Sequence, residues 1–278
     1  MKTIYIEKVD KPKMAIQKIK IERDRCKIRL NLEKEKNIKK VVIKLIKYEI
    51  ENVVLTRELY ENKTLVNALN ANDLRIFDGR WLEKYLAIQI LDYIVLQRKI
   101  PKEQTQIAVA VNQITDLSIE TIKTLAKQYK KLIVVTNQIE KLRKIEKEIY
   151  DKEGTLIIVS NNQKKSLVKP EIILNIDFNK ITLNKYKINE KAIIVNLEGN
   201  MKIEEKRFDG ININDYDINV GREEIIWREN MQDFKTKDLL EAILYMKDTF
   251  SNISKKINKN KIEIKELYGV NGKIERFS

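Results

Sequence analysis

The feature that most constrains this chain is the rhythm that begins after Pro101. Residues 106–111, 131–136, 155–160, 171–177 and 191–197 are short apolar runs rich in Val and Ile, and amphipathic segments at 119–129 and 139–150 separate the first three. A near-continuous apolar run has little solvent face, so it predicts a strand buried on both sides. Parallel strands need crossovers of a dozen or more residues, and helices of this length supply them. Right-handed crossovers then make residues 101–230 a Rossmann-like, mostly parallel sheet with helices on both faces.

The residues before Pro101 predict a smaller α/β domain over 1–100. In RDRCKIRLNL, Cys26, Ile28, Leu30 and Leu32 recur with period two, the pattern of a half-buried strand, which makes Cys26 a small core residue. Val41, Val42, Leu45, Ile46 and Ile50 have helical spacing, NVVLT reads as a buried strand, Leu59, Leu65, Val66 and Leu69 share a second helix face, and LRIFD is another strand. Residues 79–100 predict one long helix linking the domains and ending at Pro101, with Trp81, Tyr85 and Tyr93 as packing groups. Over 231–278, Leu239, Leu240, Ile243, Leu244 and Met246, continued by Phe250 and Ile253, predict an amphipathic helix packing back on the first domain. KIEIKEL then alternates like a strand at a sheet edge.

The succession IAVAVN, KLIVVTNQIEKLRKIEKEI, EIILNIDF and KAIIVNL resembles the nicotinamide-binding domain of the shikimate-dehydrogenase-like and amino-acid-dehydrogenase-like members of the Rossmann NAD(P)-binding superfamily. The resemblance implies a two-domain α/β plan in which the second strand ends near the adenosine ribose and the fourth beside the nicotinamide. It thereby implies NAD or NADP as cofactor, with Asn112, Thr115, Ser118, Asn137 and Asp177 as candidate cofactor-binding residues.

The residues at the first turn depart from that family. A dinucleotide fingerprint needs glycines for a tight turn, for approach to the pyrophosphate without a Cβ, and for close packing of helix on strand. Residues 112–119 contain none, and Asp116 adds a negative charge. Helix amides and the helix dipole remain. Ser118 has the position of a cap for the first helix, and Asn137 with Glu140 has capping-box spacing at the second. At the ribose position Asn137 and Gln138 stand in place of an acid, so no bound cofactor is expected.

Candidate catalytic groups are few. The chain has no histidine, which removes imidazole acid/base chemistry and the common zinc spacings. FDGRW places Asp78, Arg80 and Lys84 at a strand end and helix start, and an Asp with a Lys across a cleft could transfer protons. The alternative is that Asp78 caps the helix while Gly79 relaxes the turn. No metal ligand set is expected. No apolar run reaches the ~20 residues of a membrane span, and one cysteine makes no internal disulfide, so a cytoplasmic protein with no membrane partner is expected.

The formal charge of +14 raises nucleic acid as a partner. Lysine is abundant together with Asn and Ile, as A/T-rich codons specify, and it alternates with Glu in EKLRKIEKEIYDKEG, the pattern of a solvated face. Residues 1–47 are the lopsided part, with an excess of about ten basic side chains. Three function classes stay open: a non-catalytic Rossmann-like protein binding a small-molecule or protein ligand, an NAD(P)-dependent oxidoreductase with an atypical phosphate grip, and a nucleic-acid-associated protein. A scattered charge predicts that duplex DNA binds only at low salt. Changing Lys255, Lys256, Lys259 and Lys261 to Gln is then expected to leave the affinity nearly unchanged. A coherent face would instead give a log–log salt slope of about −0.9 per phosphate engaged, made shallower in that variant.

Overall fold

The structure, a computed structural model, describes residues 2–9, 19–199, 201–203, 208–221, 231–245 and 249–277. The chain forms two compact units, Met1–Leu82 with Arg222–Asp248, and Glu83–Gly221 with Thr249–Ser278. This grouping differs from boundaries at residues 100 and 230. The first division falls between Leu82 and Glu83, and the segment after Gly221 contributes to both units.

In the first unit β1 (Thr3–Lys8), β2 (Ile19–Glu22), β3 (Arg25–Ile28), β4 (Asn52–Leu55) and β5 (Arg75–Phe77) pair in the order β2-β3-β1-β4-β5. Every neighbouring pair is parallel except β2 with β3. One face is covered by α1 (Glu35–Lys47), α2 (Arg57–Glu61) and α3 (Lys63–Asn70). Cys26, Ile28, Leu30 and Leu32 are all buried, as the period of two requires. On α1 the buried stripe is Ile38, Val41, Val42 and Leu45, spaced i, i+3, i+4, i+7. Ile46, expected on that face, is 49% exposed because it stands one residue, and so about 100°, beyond Leu45. The single helix expected after β4 is two. The Asn62 side-chain oxygen accepts from the Leu65 amide at 3.0 Å, and this cap starts α3 where a continuous helix would have run on.

The expected linker helix is also divided, into α4 (Arg80–Tyr85) and α5 (Ala87–Arg98), with Leu86 between them at φ −95 and ψ 5. Lys99 closes α5 in the left-handed region at φ 55, two residues before Pro101. Trp81 packs edge-on against Tyr245 and Tyr93 against Phe277.

The second unit contains β6 (Gln106–Ala110), α6 (Asp116–Gln128), β7 (Lys131–Val135), α7 (Ile139–Glu153), β8 (Ile157–Ser160), β9 (Ile172–Asn175), α8 (Lys180–Leu183), β10 (Ile193–Asn196) and β11 (Ile211–Val220). Six parallel strands lie in the order β8-β7-β6-β9-β10-β11. This is the Rossmann order, in which the first strand is central and the direction of winding reverses between it and the fourth. The fold is therefore a two-domain Rossmann-like α/β fold. Sequence patterning missed β11, whose ININDYDINV interleaves polar and apolar side chains without a continuous apolar run. The terminal strand β12 (Ile262–Gly269) pairs antiparallel with β11, and β13 (Gly272–Lys273) pairs with β12.

The expected carboxyl-terminal helix is α9 (Thr236–Leu244) in the first unit, packed on β4 and β5, and α10 (Phe250–Lys259) in the second, packed on β12. Leu239, Leu240 and Leu244 are buried on the former, Ile253 and Ile257 on the latter. Met246 and the Phe250 side chain lie outside the described residues. Among the described residues no helix is long and apolar enough to cross a membrane.

Burial pushes the Cys26 thiol up to about 12, and a thiol held protonated is unreactive. In the native protein at about pH 8, a thiol reagent such as iodoacetamide is expected to leave Cys26 unmodified, with full labelling in denaturant, as mass spectrometry will show. Native-state labelling at the denatured rate would contradict its place in the core.

Candidate functional site

Open parallel sheets bind ligands outside the carboxyl ends of their strands where the winding reverses. In the second unit that point lies between β6 and β9, and there the chain occupies its own crevice. The Asp177 carboxylate, just after β9, accepts from the Asn112 and Gln113 amides at 2.7 and 2.5 Å. Those amides form the first turn after β6, the position where a glycine-rich loop offers its N–H groups to a pyrophosphate. The Asn112 side chain closes the next gap, its Oδ1 accepting from the Asn137 amide after β7 at 2.8 Å.

Thr115 and Ser118 follow at the start of α6. Thr115 is the N-cap of α6, and Ser118 is the third helical residue of a reciprocal capping box. The Ser118 amide donates to Thr115 Oγ1 at 3.2 Å and the Thr115 amide to Ser118 Oγ at 2.8 Å. Ser118 is thus not the cap itself, because the helix begins at Asp116 and the hydroxyl that faces the free amides is that of Thr115. The Asn137 and Glu140 box does not form. Gln138 is the N-cap of α7, with no side-chain cap bond, and its amide donates to Thr136 Oγ1. The five candidate cofactor residues therefore all lie at this crevice, with Asn112, Asn137 and Asp177 in one hydrogen-bond set and Thr115 and Ser118 in another.

Beside Asp177 runs a ladder of buried amides that patterning missed. Asn175, Asn196 and Asn214 lie on β9, β10 and β11. Asn175 Nδ2 donates to the Phe178 carbonyl and to Asn196 Oδ1, Asn196 Nδ2 donates to Asn214 Oδ1, and Asn214 exchanges two bonds with the Met201 backbone. Each member is satisfied by another, which is what buried amides require. The signal in the sequence was an Asn closing each of the apolar runs IILN and IIVN.

Asp78 and Lys84 fall in different units, and each has a partner of its own. Lys84 Nζ lies 3.4 Å from Glu198. Asp78 accepts from Tyr60 Oη at 3.3 Å and from the Arg80 amide at 3.1 Å, and pairs with Arg80 Nε at 3.3 Å. Asp78 thus takes one amide at the start of α4, and a second acid, from α9, takes two more. Glu241 accepts from the Gly79 and Trp81 amides. Gly79 stands at φ +86, a backbone conformation that favours glycine, and a Cβ there would also push against the Lys237 stem, with Cδ at 2.7 Å.

Two acids in this cluster are strongly perturbed. Burial pushes Glu241 up to about 7, with Asp78 adding repulsion and the accepted amide bonds opposing it. Asp238 is pushed up to about 8, by burial first, while Lys237 and Lys235 pull it down and Asp78 and Glu241 raise it. Its Oδ1 is buried without a hydrogen-bond partner among the described residues. The sequence held one sign of this. Asp238, Glu241, Ala242 and Tyr245, all buried, are spaced i, i+3, i+4, i+7 on one stripe. Among the described residues no cluster of three or more acid or thiol groups is arranged to hold a metal ion.

No protein-family model and no curated protein matches the sequence. Among solved structures, L-tryptophan dehydrogenase from Nostoc punctiforme is similar at 11% identity and a TM-score of 0.30, over 66% of this chain and 53% of that one. Shikimate dehydrogenase in complex with NADP+ is similar at 14% identity and a TM-score of 0.31, over 62% of this chain and 66% of that one. Ornithine carbamoyltransferase from Pyrococcus furiosus is similar at 11% identity and a TM-score of 0.31, over 84% and 75%. The chain thus spans between half and two thirds of the length of the two dehydrogenases.

The raised acids set a pH dependence. Asp238 and Glu241 move up from ordinary values of 3.8 and 4.5, so folding takes up protons between those values and about 8 and 7. Their contribution to stability is complete below the unfolded values and is lost as the pH rises through the folded ones. Thermal unfolding followed by circular dichroism is expected to give Asp238→Asn a higher midpoint than the parent at about pH 8.5 and a clearly smaller offset at about pH 5, where most of the proton-linked contribution is still present. An equal offset at both pH values would show that Asp238 titrates normally in the folded protein.

Proposed function

We propose that this chain is a non-catalytic ligand-binding or interaction protein built on a Rossmann-like fold, in which the dinucleotide crevice of the second unit is filled by the protein itself. The observation that carries this reading is the Asp177 carboxylate on the Asn112 and Gln113 amides. A phosphate entering there would displace a carboxylate from two charge-assisted bonds and then sit beside that carboxylate and Asp116, with repulsion on both sides. Side chains at every position of the turn also fill the volume that a glycine-rich loop leaves open. Descent from a dehydrogenase-type two-domain ancestor is part of the proposal and is supported by strand order alone. A cytoplasmic location is likewise part of it, supported by a lone buried thiol.

Isothermal titration calorimetry with NAD and with NADP is expected to show dissociation constants weaker than about 1 mM. Micromolar affinity for either would replace this reading with that of an NAD(P)-dependent oxidoreductase. Asp177→Ala tests the interaction directly. Loss of a charged acceptor from two amides is expected to lower stability by about 2 kcal/mol. The freed amides should then make the variant respond to millimolar phosphate with a rise in melting temperature, while the parent stays indifferent. An Asp177→Ala protein as stable as the parent, and equally indifferent to phosphate, would remove Asp177 from the explanation.

A further inference from the structure

We infer that the first unit carries a binding site for a small organic anion, in a cavity of about 550 Å³ at the carboxyl edge of its sheet. The inference supplies a ligand to the binding role proposed above and rests on it in that respect, although the cavity and the filled crevice belong to different units.

The position follows from strand order. The parallel strands of the first unit lie as β3-β1-β4-β5, so the chain leaves β1 toward β3 and then crosses to β4 on the other side. Winding reverses at β1, and ligands gather outside the carboxyl ends at such a point. The cavity lies there. Its lining comes from the end of β1 at Lys8, from Arg29 and the residues that follow β3, and from α2, which follows β4. The volume falls within the ~300–1,000 Å³ range of small-molecule sites.

Its surface has the composition of such a site. Leu30, Leu32 and Leu59 are buried and form an apolar floor. At the rim Glu58 pairs with Lys8, and Glu33 is held in a local turn by Asn31, whose Oδ1 accepts from the Glu33 amide at 2.8 Å while its Nδ2 donates to the Glu33 carboxylate at 3.3 Å. Both acids in the lining therefore have partners. Arg29 has none. No hydrogen bond or ion pair to its guanidinium occurs among the described residues, and its Nε is buried without an acceptor. A half-buried guanidinium without an anion forgoes the strongest bonds that such a group makes, the paired N–H contacts to carboxylate or phosphate. A ligand with one acidic group and a compact apolar body meets both demands, the acid on Arg29 and the body on the three leucines.

Among the described residues three other cavities are less suited: that between β11 and the β12–β13 turn, about 300 Å³, has apolar residues but its Lys273 is paired with Glu266. That between α6 and α7 holds about 240 Å³ and is crossed by Lys123, Glu148 and Lys152 bonded to one another. That at the β2–β3 hairpin has only charged side chains in its lining and so no apolar floor.

The test is a nitrogen-15 and methyl NMR titration of the full chain at constant ionic strength, with isobutyrate in one arm, inorganic phosphate in a second and NAD in a third. Saturable shifts of the Arg29 Nε–Hε signal and the Leu30, Leu32 and Leu59 methyls with isobutyrate or phosphate are expected, and the arm that saturates tells carboxylate from phosphate. Arg29→Gln is expected to weaken that binding by about tenfold or more, the worth of a charged hydrogen bond. Asn31→Trp, at an exposed rim position, gives up the Asn31–Glu33 turn and is expected to block binding by filling the cavity while a parent-like amide spectrum shows that the fold is kept. No saturable shift at Arg29 with either probe, or unchanged affinity in the Trp variant, overturns the site. In the NAD arm, shifts confined to the Asn112 and Gln113 amides would overturn the filled-crevice reading alone and leave the Arg29 result standing.

Discussion

A single carboxylate closes the crevice of the Rossmann-like sheet of this protein. Asp177 stands at the strand-order reversal and satisfies the two amides that the turn after β6 directs into the crevice. Backbone donors at such a turn must be paired, with ligand, water or protein. In a dinucleotide enzyme the partner arrives from outside. Here it is covalently part of the chain, always present, and it brings a negative charge with it. The neighbouring bonds follow from that choice. Asn112 bridges on to the Asn137 amide through its side-chain oxygen, and the Thr115–Ser118 box takes up the Ser118 amide at the start of α6.

The same solution recurs in the first unit with a different balance. Glu241 reaches from α9 to the Gly79 and Trp81 amides and caps α4 across a tertiary contact. Because α9 is buried nearly all round, this acid and Asp238 lose their hydration, and burial outweighs the lysines beside Asp238. Asp177 lies nearer the surface. A carboxylate distant in the chain thus ties backbone amides to another element in both units, those of the turn after β6 in one and those at the start of α4 in the other, and the buried Glu241 makes stability depend on proton uptake.

Much of the fold was legible in the residues. The five apolar runs after Pro101 became β6 to β10, and the period of two in RDRCKIRLNL placed Cys26, Ile28, Leu30 and Leu32 in the core. Helix continuity was less legible. Residues 57–70 and 79–100 have unbroken helical patterns, yet Asn62 caps a new helix and Leu86 interrupts the other, since neither interruption needs a Gly or Pro. β11 was hidden because ININDYDINV carries its polar groups into the sheet, where Asn214 meets Asn196 and Met201. Of the candidate site, the absence of glycine was visible at once, but its replacement was not, because Asp177 is 65 residues from the Asn112 amide it accepts from.

What the sequence alone determined is local: the strand periods, the alternation that demands crossovers, the glycine-free turn and the lack of histidine. These depend on neighbours along the chain, so the order of side chains suffices to read them. Tertiary structure decided which acid faces which amide, that Asp78 and Lys84 fall in different units, that α9 returns to the first sheet while α10 joins the second, and that Arg29 Nε is buried without an acceptor among the described residues. Each of those depends on residues far apart in the chain. A carboxylate that solvates itself at the surface and one that closes a crevice are the same letter until the fold brings its partner within hydrogen-bond distance.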